Sequence, residues 1–309
     1  MKREEKINSE LSFWQRVWLE VLWKLCRVFG LLPHFVQYRI VAPFIYLILY
    51  KMIGYRVKVV DANLKQSFPE LSDTERKKIR DGFYENLSEV FVSTIAIAAP
   101  GMKGKFDDKE DQTSQAAELR ALTNGKNWVG LTTHMGLWEH LLFWGEFSDS
   151  YIVGAYHKLK SEVMDALFIR LRTRNHPYAV ALDSKQILRF CLKNRHGIDG
   201  RSFGIGLIAD QNPHVYADSQ WIKFLGQDTL FYHGGEVLAI KMKIPAYFVY
   251  QKRLGKGHYI LCYEPLFDGV ESVEPYEITR RYVAALERAI RRQPEIWLWS
   301  HKRWKHKRK

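Results

Sequence analysis

The sequence predicts an α/β fold: a central mixed, mostly parallel sheet flanked by helices, behind an apolar helical segment at the N-terminus. Three observations carry this expectation. From Val129 onward, short apolar runs ("VGLTT", "YIVGAY", "GIGLIA") alternate with stretches of helical periodicity, as in layered folds built around a parallel sheet. The last two strand candidates, "IPAYFVYQKR" and "HYILCYEPL", succeed one another with no helix between them, so that pair is expected to be antiparallel and the sheet mixed. A chain of 309 residues, 47% hydrophobic, can bury one large α/β core or two small ones.

Taken in order, Phe13–Phe29 ("FWQRVWLEVLWKLCRVF") places Arg16, Glu20, Lys24 and Arg27 on one stripe and apolar residues on most other faces. That is an amphipathic helix with a wide apolar face, able to lie on its own domain or in a membrane interface. Ile40–Tyr50 is eleven uncharged residues between Arg39 and Lys51. It falls short of the roughly 20 residues that span a bilayer but is long enough to dip into one leaflet. The first ten residues mix both charges and no cleavage site comes after them, unlike a signal peptide. Residues 1–60 are therefore expected to form a membrane-associating helical segment, and 61–309 the remainder of the protein, ending in a basic, Trp-rich tail. Ser72-Asp73 starts a helix with Glu75 in its first turn, and Leu71, Ile79, Phe83 and Leu87 recur at helical spacing. Residues 100–115 are polar and Gly-containing, so a surface loop. Then come a strand at Val129–Thr133, a turn at Met135-Gly136 and a helix from Trp138. Next are a strand over 151–158, a basic amphipathic helix over 161–175 and a buried strand over 204–210 ending at Asp210. Tyr276–Gln293 is the last helix.

The formal net charge is +13, and it sits at the ends. Residues 1–60 carry ten Lys/Arg against four Asp/Glu, and residues 276–309 carry eleven against three. Tryptophans gather in the same places: Trp14, Trp18, Trp23, then Trp297, Trp299, Trp304. Basic residues interleaved with Trp suit the headgroups of an anionic membrane; they also suit nucleic acid. The apolar N-terminal segment favours the membrane, and a monotopic protein on a cytoplasmic membrane face is expected. Cys26, Cys191 and Cys262 are too few and too scattered for a disulfide framework or a thiolate zinc site.

Two familiar patterns fail on context. Gly200-Arg201-Ser202-Phe203-Gly204 matches a serine-hydrolase elbow, but the serine stands between a polar loop and a strand rather than between a strand and a helix. Gly204-x-Gly206-x-x-Ala209 matches a dinucleotide fingerprint but lies inside a strand. The histidines lack metal-ligand spacing, since His134 and His140 are six apart. His134 and Glu139 stand out. Five residues apart, they cannot meet on one helix, yet a strand–turn–helix would let Glu139 face back toward His134 at a strand's carboxyl end. Asp210 falls at a second such end, where ligands of α/β folds bind. An ordinary core histidine satisfied by an acid is the competing account of the pair.

In "NLKQSFPE" (63–70), "THMGLWE" (133–139), "FIRLRTR" (168–174), "IADQNP" (208–213), "FLGQDTLFYHGGEVLA" (224–239) and "PEIWLWSHKRWK" (294–305), the chain resembles the bacterial lipid A biosynthesis acyltransferases, within the wider glycerolipid acyltransferase group. The resemblance runs from about Trp14 to Lys307. It implies transfer of a fatty acyl group from a thioester carrier, acyl carrier protein or acyl-CoA, to a hydroxyl of a lipid A precursor, with no cofactor. His134 would be the general base and Glu139 would hold its tautomer. Arg170, Arg172 or backbone amides near Gly136 would serve the oxyanion. The arginines of "IRLRTR" and Asp210 match family positions implicated in activity, and Asp210 and Gln211 are expected with those arginines to bind the oxyanion or substrate. Gly234 and Gly235 would admit an acyl chain or phosphate, or only allow tight packing. Thr133 stands where related glycerolipid enzymes usually have Asn, and "YHK" (156–158) matches the branch's usual "YRP" loosely. Another amphiphilic acceptor, or a non-catalytic basic membrane- or nucleic-acid-binding protein, are the alternatives.

Overall fold

The computed structural model describes residues 10–99, 109–213 and 220–308. Helix α1 (Phe13–Gly30) begins at Ser12, whose hydroxyl accepts from Gln15 N while the Gln15 side chain caps Ser12 N in return. α2 (His34–Met52) is helical throughout but contains π-turns at Gln37–Val41 and Leu47–Met52. They flank Ala42–Tyr46, where Pro43 cannot donate a backbone bond. α3 (Val57–Ser67) and α4 (Asp73–Ala96) come next; α4 starts on the expected Ser72–Glu75 capping box. α5 (Lys109–Thr123) begins inside the stretch expected to be a loop, so Lys109–Gln115 is helical, while residues 100–108 lie outside the described residues. Its alternation of polar residues with Ala116 and Leu119, both buried against the sheet, supplies the apolar stripe that a polar composition hid.

The sheet is assembled from β1 (Trp128–Thr132), β2 (Tyr151–Tyr156), α6 (Glu162–Thr173), β3 (Ala179–Asp183), α7 (Ile187–Lys193) and β4 (Phe203–Ile208). A hairpin of β5 (Trp221–Phe224) and β6 (Gln227–Leu230) precedes α8 (Gly234–Met242), β7 (Ala246–Gly255), β8 (His258–Phe267) and α9 (Glu277–Arg292). The strand order is β3-β2-β4-β1-β7-β8. All neighbours are parallel except β7 and β8, which are antiparallel as expected. β1 is central and wholly buried. On one face Val129 and Leu131 pack with Leu238 of α8 and Tyr282 and Leu286 of α9. On the other, Trp128 meets Tyr247 and Ile152 beneath α5. The first glycine of the pattern that imitates a dinucleotide fingerprint belongs to this packing: a Cβ on Gly204 would stand 2.3 Å from the Trp128 ring.

α1 buries Leu19 and Trp23 against the domain and turns Phe13, Trp14, Trp18, Leu25 and Val28 outward, each more than 60% exposed. Phe35, Ile40, Phe44 and Met52 continue that apolar surface along α2. No single helix among the described residues is long and apolar enough to cross a membrane, and α1 and α2 meet at a bend of 107°. The tryptophans divide differently from the expectation. Trp23, Trp297 and Trp299 are core residues, and Arg303 of the tail is 2% exposed. The tail is drawn inward because its indoles fill the space between α3, α4 and the β5–β6 hairpin. Trp299 meets Phe68 and Trp297 meets Phe224, and Asn63 Nδ2 bonds the carbonyls of Trp299 and His301 at 2.8 and 2.9 Å.

Candidate active site

The parallel strands β1 and β4 end side by side, so the residues just beyond their carboxyl ends come together. Beyond β1 lie Thr133 and His134; beyond β4 lie Asp210 and Gln211. Asp210, 2% exposed, is the hub. Its Oδ2 accepts from Thr133 Oγ1 (2.7 Å), His134 N (2.8 Å) and Trp297 Nε1 (2.9 Å), and its Oδ1 from His134 Nδ1 (2.7 Å). Burial alone would push this carboxyl up; the His134 charge and its donors more than offset that and hold it well below the usual carboxylate range. An ionised Asp210 fixes the proton of His134 on Nδ1, leaving Nε2 as the basic nitrogen. Gln211 Nε2 lies 3.1 Å from that nitrogen, and the Trp138 ring stands edge-on to the imidazole at 5.2 Å.

The turn after His134 is made by Gly136 at φ +61°, where a Cβ would also lie 2.9 Å from Gln251 Oε1 and from Tyr259. Only glycine fits. Trp138–Trp144 then forms a 3-10 helix rather than the expected α-helix, and Glu139 points elsewhere. It holds Arg172 of α6 through two bonds, Nε to Oε2 at 2.8 Å and a terminal nitrogen to Oε1 at 2.6 Å. The carboxylate beside His134 is therefore Asp210, not Glu139. Arg172 and Glu139 border a small cleft of about 70 Å³, walled by Trp138, Leu141, Leu142 and Ile208.

The other expected site residues are placed as follows. Arg170 is 3% exposed and bonds Glu20 of α1 at 2.6 Å, with Trp23 under its guanidinium, so it joins α6 to the N-terminal helix rather than facing the cleft. The Gly136 amide donates to Ile296 O at 3.1 Å, which removes it as a free oxyanion donor. Gly235 serves packing: its Cβ would meet Leu131 Cδ2 at 2.3 Å, whereas Gly234 faces open space. Trp297 enters from a segment whose indoles pointed to a membrane. Thr133, Tyr282, which donates to Thr132 O at 2.8 Å, and Arg303 carry no local signal, since their roles arise only when distant segments meet. Among the described residues there is no group of three or more His, Cys, Asp or Glu suited to a metal ion.

A buried carboxylate orienting an imidazole at the strand ends, beside an apolar cleft, can move a proton from a hydroxyl. A search among curated proteins returns no match. The sequence model of the family described as bacterial lipid A biosynthesis acyltransferase matches residues 4–306, nearly the whole chain, and the protein belongs to that acyltransferase family.

Proposed function

We propose that the protein moves a fatty acyl group from a thioester carrier to a hydroxyl of a lipid A precursor at a membrane surface, with His134 as general base. The observation that carries this is the His134 Nδ1–Asp210 Oδ1 bond of 2.7 Å, which leaves Nε2 facing Gln211 with its lone pair. The acceptor hydroxyl displaces the Gln211 amide, gives its proton to Nε2 and attacks the thioester carbonyl. The tetrahedral intermediate collapses, the C–S bond breaks, and the imidazolium returns the proton to the departing thiolate. No protein nucleophile is required. Gln211, once displaced, has an amide N–H for the oxyanion.

The apolar cleft suits the start of an acyl chain, while its polar end is fixed by the Glu139–Arg172 pair. The exposed apolar surface of α1 and α2, rimmed by Arg39 and Lys51, suits one leaflet of an anionic membrane. A monotopic position on the cytoplasmic face of an inner membrane would let the acceptor reach His134 from the leaflet. For the donor, Lys158, Lys160 and Lys185 are exposed just beyond the ends of β2 and β3, next to the cleft. Their positive charge would steer an acidic acyl carrier protein toward the site.

The test is mass spectrometry of the product formed by the purified protein from acyl carrier protein thioester and lipid A precursor, with and without His134→Gln. Loss of a general base costs about 10²–10⁴-fold in rate. Full activity of His134→Gln would overturn the assignment of the base; no product with any thioester would overturn the reaction.

A further inference from the structure

The cleft face of the sheet carries a row almost without side chains. Parallel register sets Gly130 of β1 beside Gly206 of β4, Gly206 beside Gly154 of β2, and Gly154 beside Ala181 of β3. Side chains alternate between the faces of a strand. This row therefore shares its face with Thr132 and Ile208, nearer the carboxyl ends, and with Trp128 and Ile152 on the other side. Three of the glycines on this face serve packing. A Cβ on Gly130 would lie 2.9 Å from the Trp128 ring, one on Gly204 closer still, and one on Gly154 2.6 Å from Leu142 Cδ2. Gly206 differs. The nearest atom to a Cβ there would be the Val153 carbonyl oxygen at 3.8 Å, an ordinary contact, and its φ is not positive. A glycine weakens a strand, and neither crowding nor backbone conformation requires one here. Gly206 lines the cleft, so what its missing side chain leaves is cleft space.

Thr132 lines the same cleft from the row nearer His134. It is 4% exposed, and its hydroxyl oxygen is buried with no hydrogen-bond partner in the structure. A buried hydroxyl in a largely apolar wall is costly unless something bonds it. The cleft therefore suits a ligand with a polar end and an apolar body. We propose that Gly206 determines which acyl chains the protein transfers. The chain enters past Thr132, whose hydroxyl donates to its thioester end, and runs along the sheet over Gly206 toward Ile152. There the Trp128 ring over Gly204 and Leu142 over Gly154 close the slot. This inference rests on the acyl-transfer reading of the site and deepens it by naming the residue that measures the donor's hydrocarbon. The row of Gly206 lies two residues, about 7 Å, below that of Thr132 at the rise of a strand. A side chain at position 206 would project into the path of the chain while leaving Thr132 and His134 as they are.

The experiment offers purified full-length protein in detergent an equimolar mixture of acyl carrier protein thioesters, from decanoyl to palmitoyl, with lipid A precursor as acceptor, and reads the product masses. Gly206→Ala and Gly206→Val are compared with the wild type, folding being checked by circular dichroism. Both should move the product profile toward shorter chains, Val further than Ala. A methylene that a pocket cannot hold costs about tenfold or more. In Gly206→Val, kcat/KM for the longest chain that the wild type accepts should therefore fall at least about tenfold relative to the shortest. Thr132→Val keeps the shape, removes the hydroxyl, and should lower kcat/KM alike at every length. An unchanged profile in folded Gly206→Val would overturn the proposal, and so would an equal loss at all lengths in both Gly206 variants. Wild-type kinetics in Thr132→Val would overturn the placement of the polar end. If the wild type forms no product, the acyl-transfer reading fails instead. Calorimetric titration of free fatty acids of the same lengths into the wild type and Gly206→Val then reads the slot without chemistry, and equal affinities at every length would overturn it.

Discussion

Trp297 donates its indole N–H to Asp210 at 2.9 Å, so a residue near the end of the chain completes the shell of the carboxylate that orients His134. The same segment pairs Trp297 with Met135 and receives the Gly136 amide on Ile296 O. The tail thereby braces both sides of the His134 turn. Trp297→Phe keeps most of the ring and deletes only the donor. Hydrogen bonds to charged groups contribute about 1.5–3 kcal/mol, so urea denaturation should show a loss of that order. Turnover should fall about tenfold, equivalent to about 1.4 kcal/mol of barrier, with KM little changed. Wild-type turnover would mean that three donors suffice for Asp210.

Asp210 and Glu139 can be separated by matched amide substitutions. Asp210→Asn presents a donor to a ring nitrogen that already carries a proton, which disfavours the tautomer with Nε2 free. The expected loss in kcat is about 10³–10⁴-fold. Glu139→Gln breaks the paired bonds to Arg172 and loosens one wall of the cleft, so its effect should fall more on KM for the acyl donor. A steady-state comparison with acyl carrier protein thioester decides. If Glu139→Gln abolished kcat while Asp210→Asn spared it, the structure's assignment of the orienting carboxylate would be wrong.

The fold was largely legible because β-branched runs and helical stripes are local patterns. The α4 start at Ser72, the β7–β8 pair and the strand ending before His134 are all set by neighbours in sequence. The site was half legible. His134 and Asp210 stand at strand ends and can be located, but which carboxylate meets which ring depends on the Gly136 turn and the 3-10 helix after it. In that 3-10 helix Glu139 meets Arg172 of α6 rather than His134. Arg170 and Arg172 are two apart and so face different ways on α6: one reaches Glu20 of α1 and the other the cleft. The Trp-rich tail shows the limit of composition, because "WLW" beside lysines describes a membrane anchor and a buried plug equally well. Only contacts with Phe68 and Phe224 separate the two.

The lysines beyond β2 and β3 lead to a donor-specific prediction. Lys158 and Lys160 are exposed, so substituting them should leave the fold intact, within about 0.5 kcal/mol. Lys158→Glu combined with Lys160→Glu should raise KM for acyl carrier protein thioester about tenfold at low salt, leave kcat unchanged, and lose most of its effect at high ionic strength. A KM that stays at the wild-type value across salt concentrations would place the donor's approach elsewhere.

His140 makes the protein acid-sensitive. Burial pushes its imidazole down to about 4; a bond with the Ser93 backbone opposes this weakly, and His176 adds to it. His176 is itself paired with Glu146 at 2.6 Å. In the unfolded chain a histidine titrates near 6.5. Between about pH 6.5 and 4 the unfolded state therefore binds a proton that the folded state does not, and stability falls as pH drops. The slope for one such group is about 1.4 kcal/mol per pH unit. His301, held near 4 as well, adds to the slope in the same window. Asp210 acts lower, its depressed value supporting the fold above the ordinary carboxylate range and losing that support only in stronger acid. Thermal or urea unfolding at pH 7, 6 and 5 should show the decline, and His140→Gln, which cannot titrate, should flatten it. An equal decline in the variant would show that His140 is not the group being protonated.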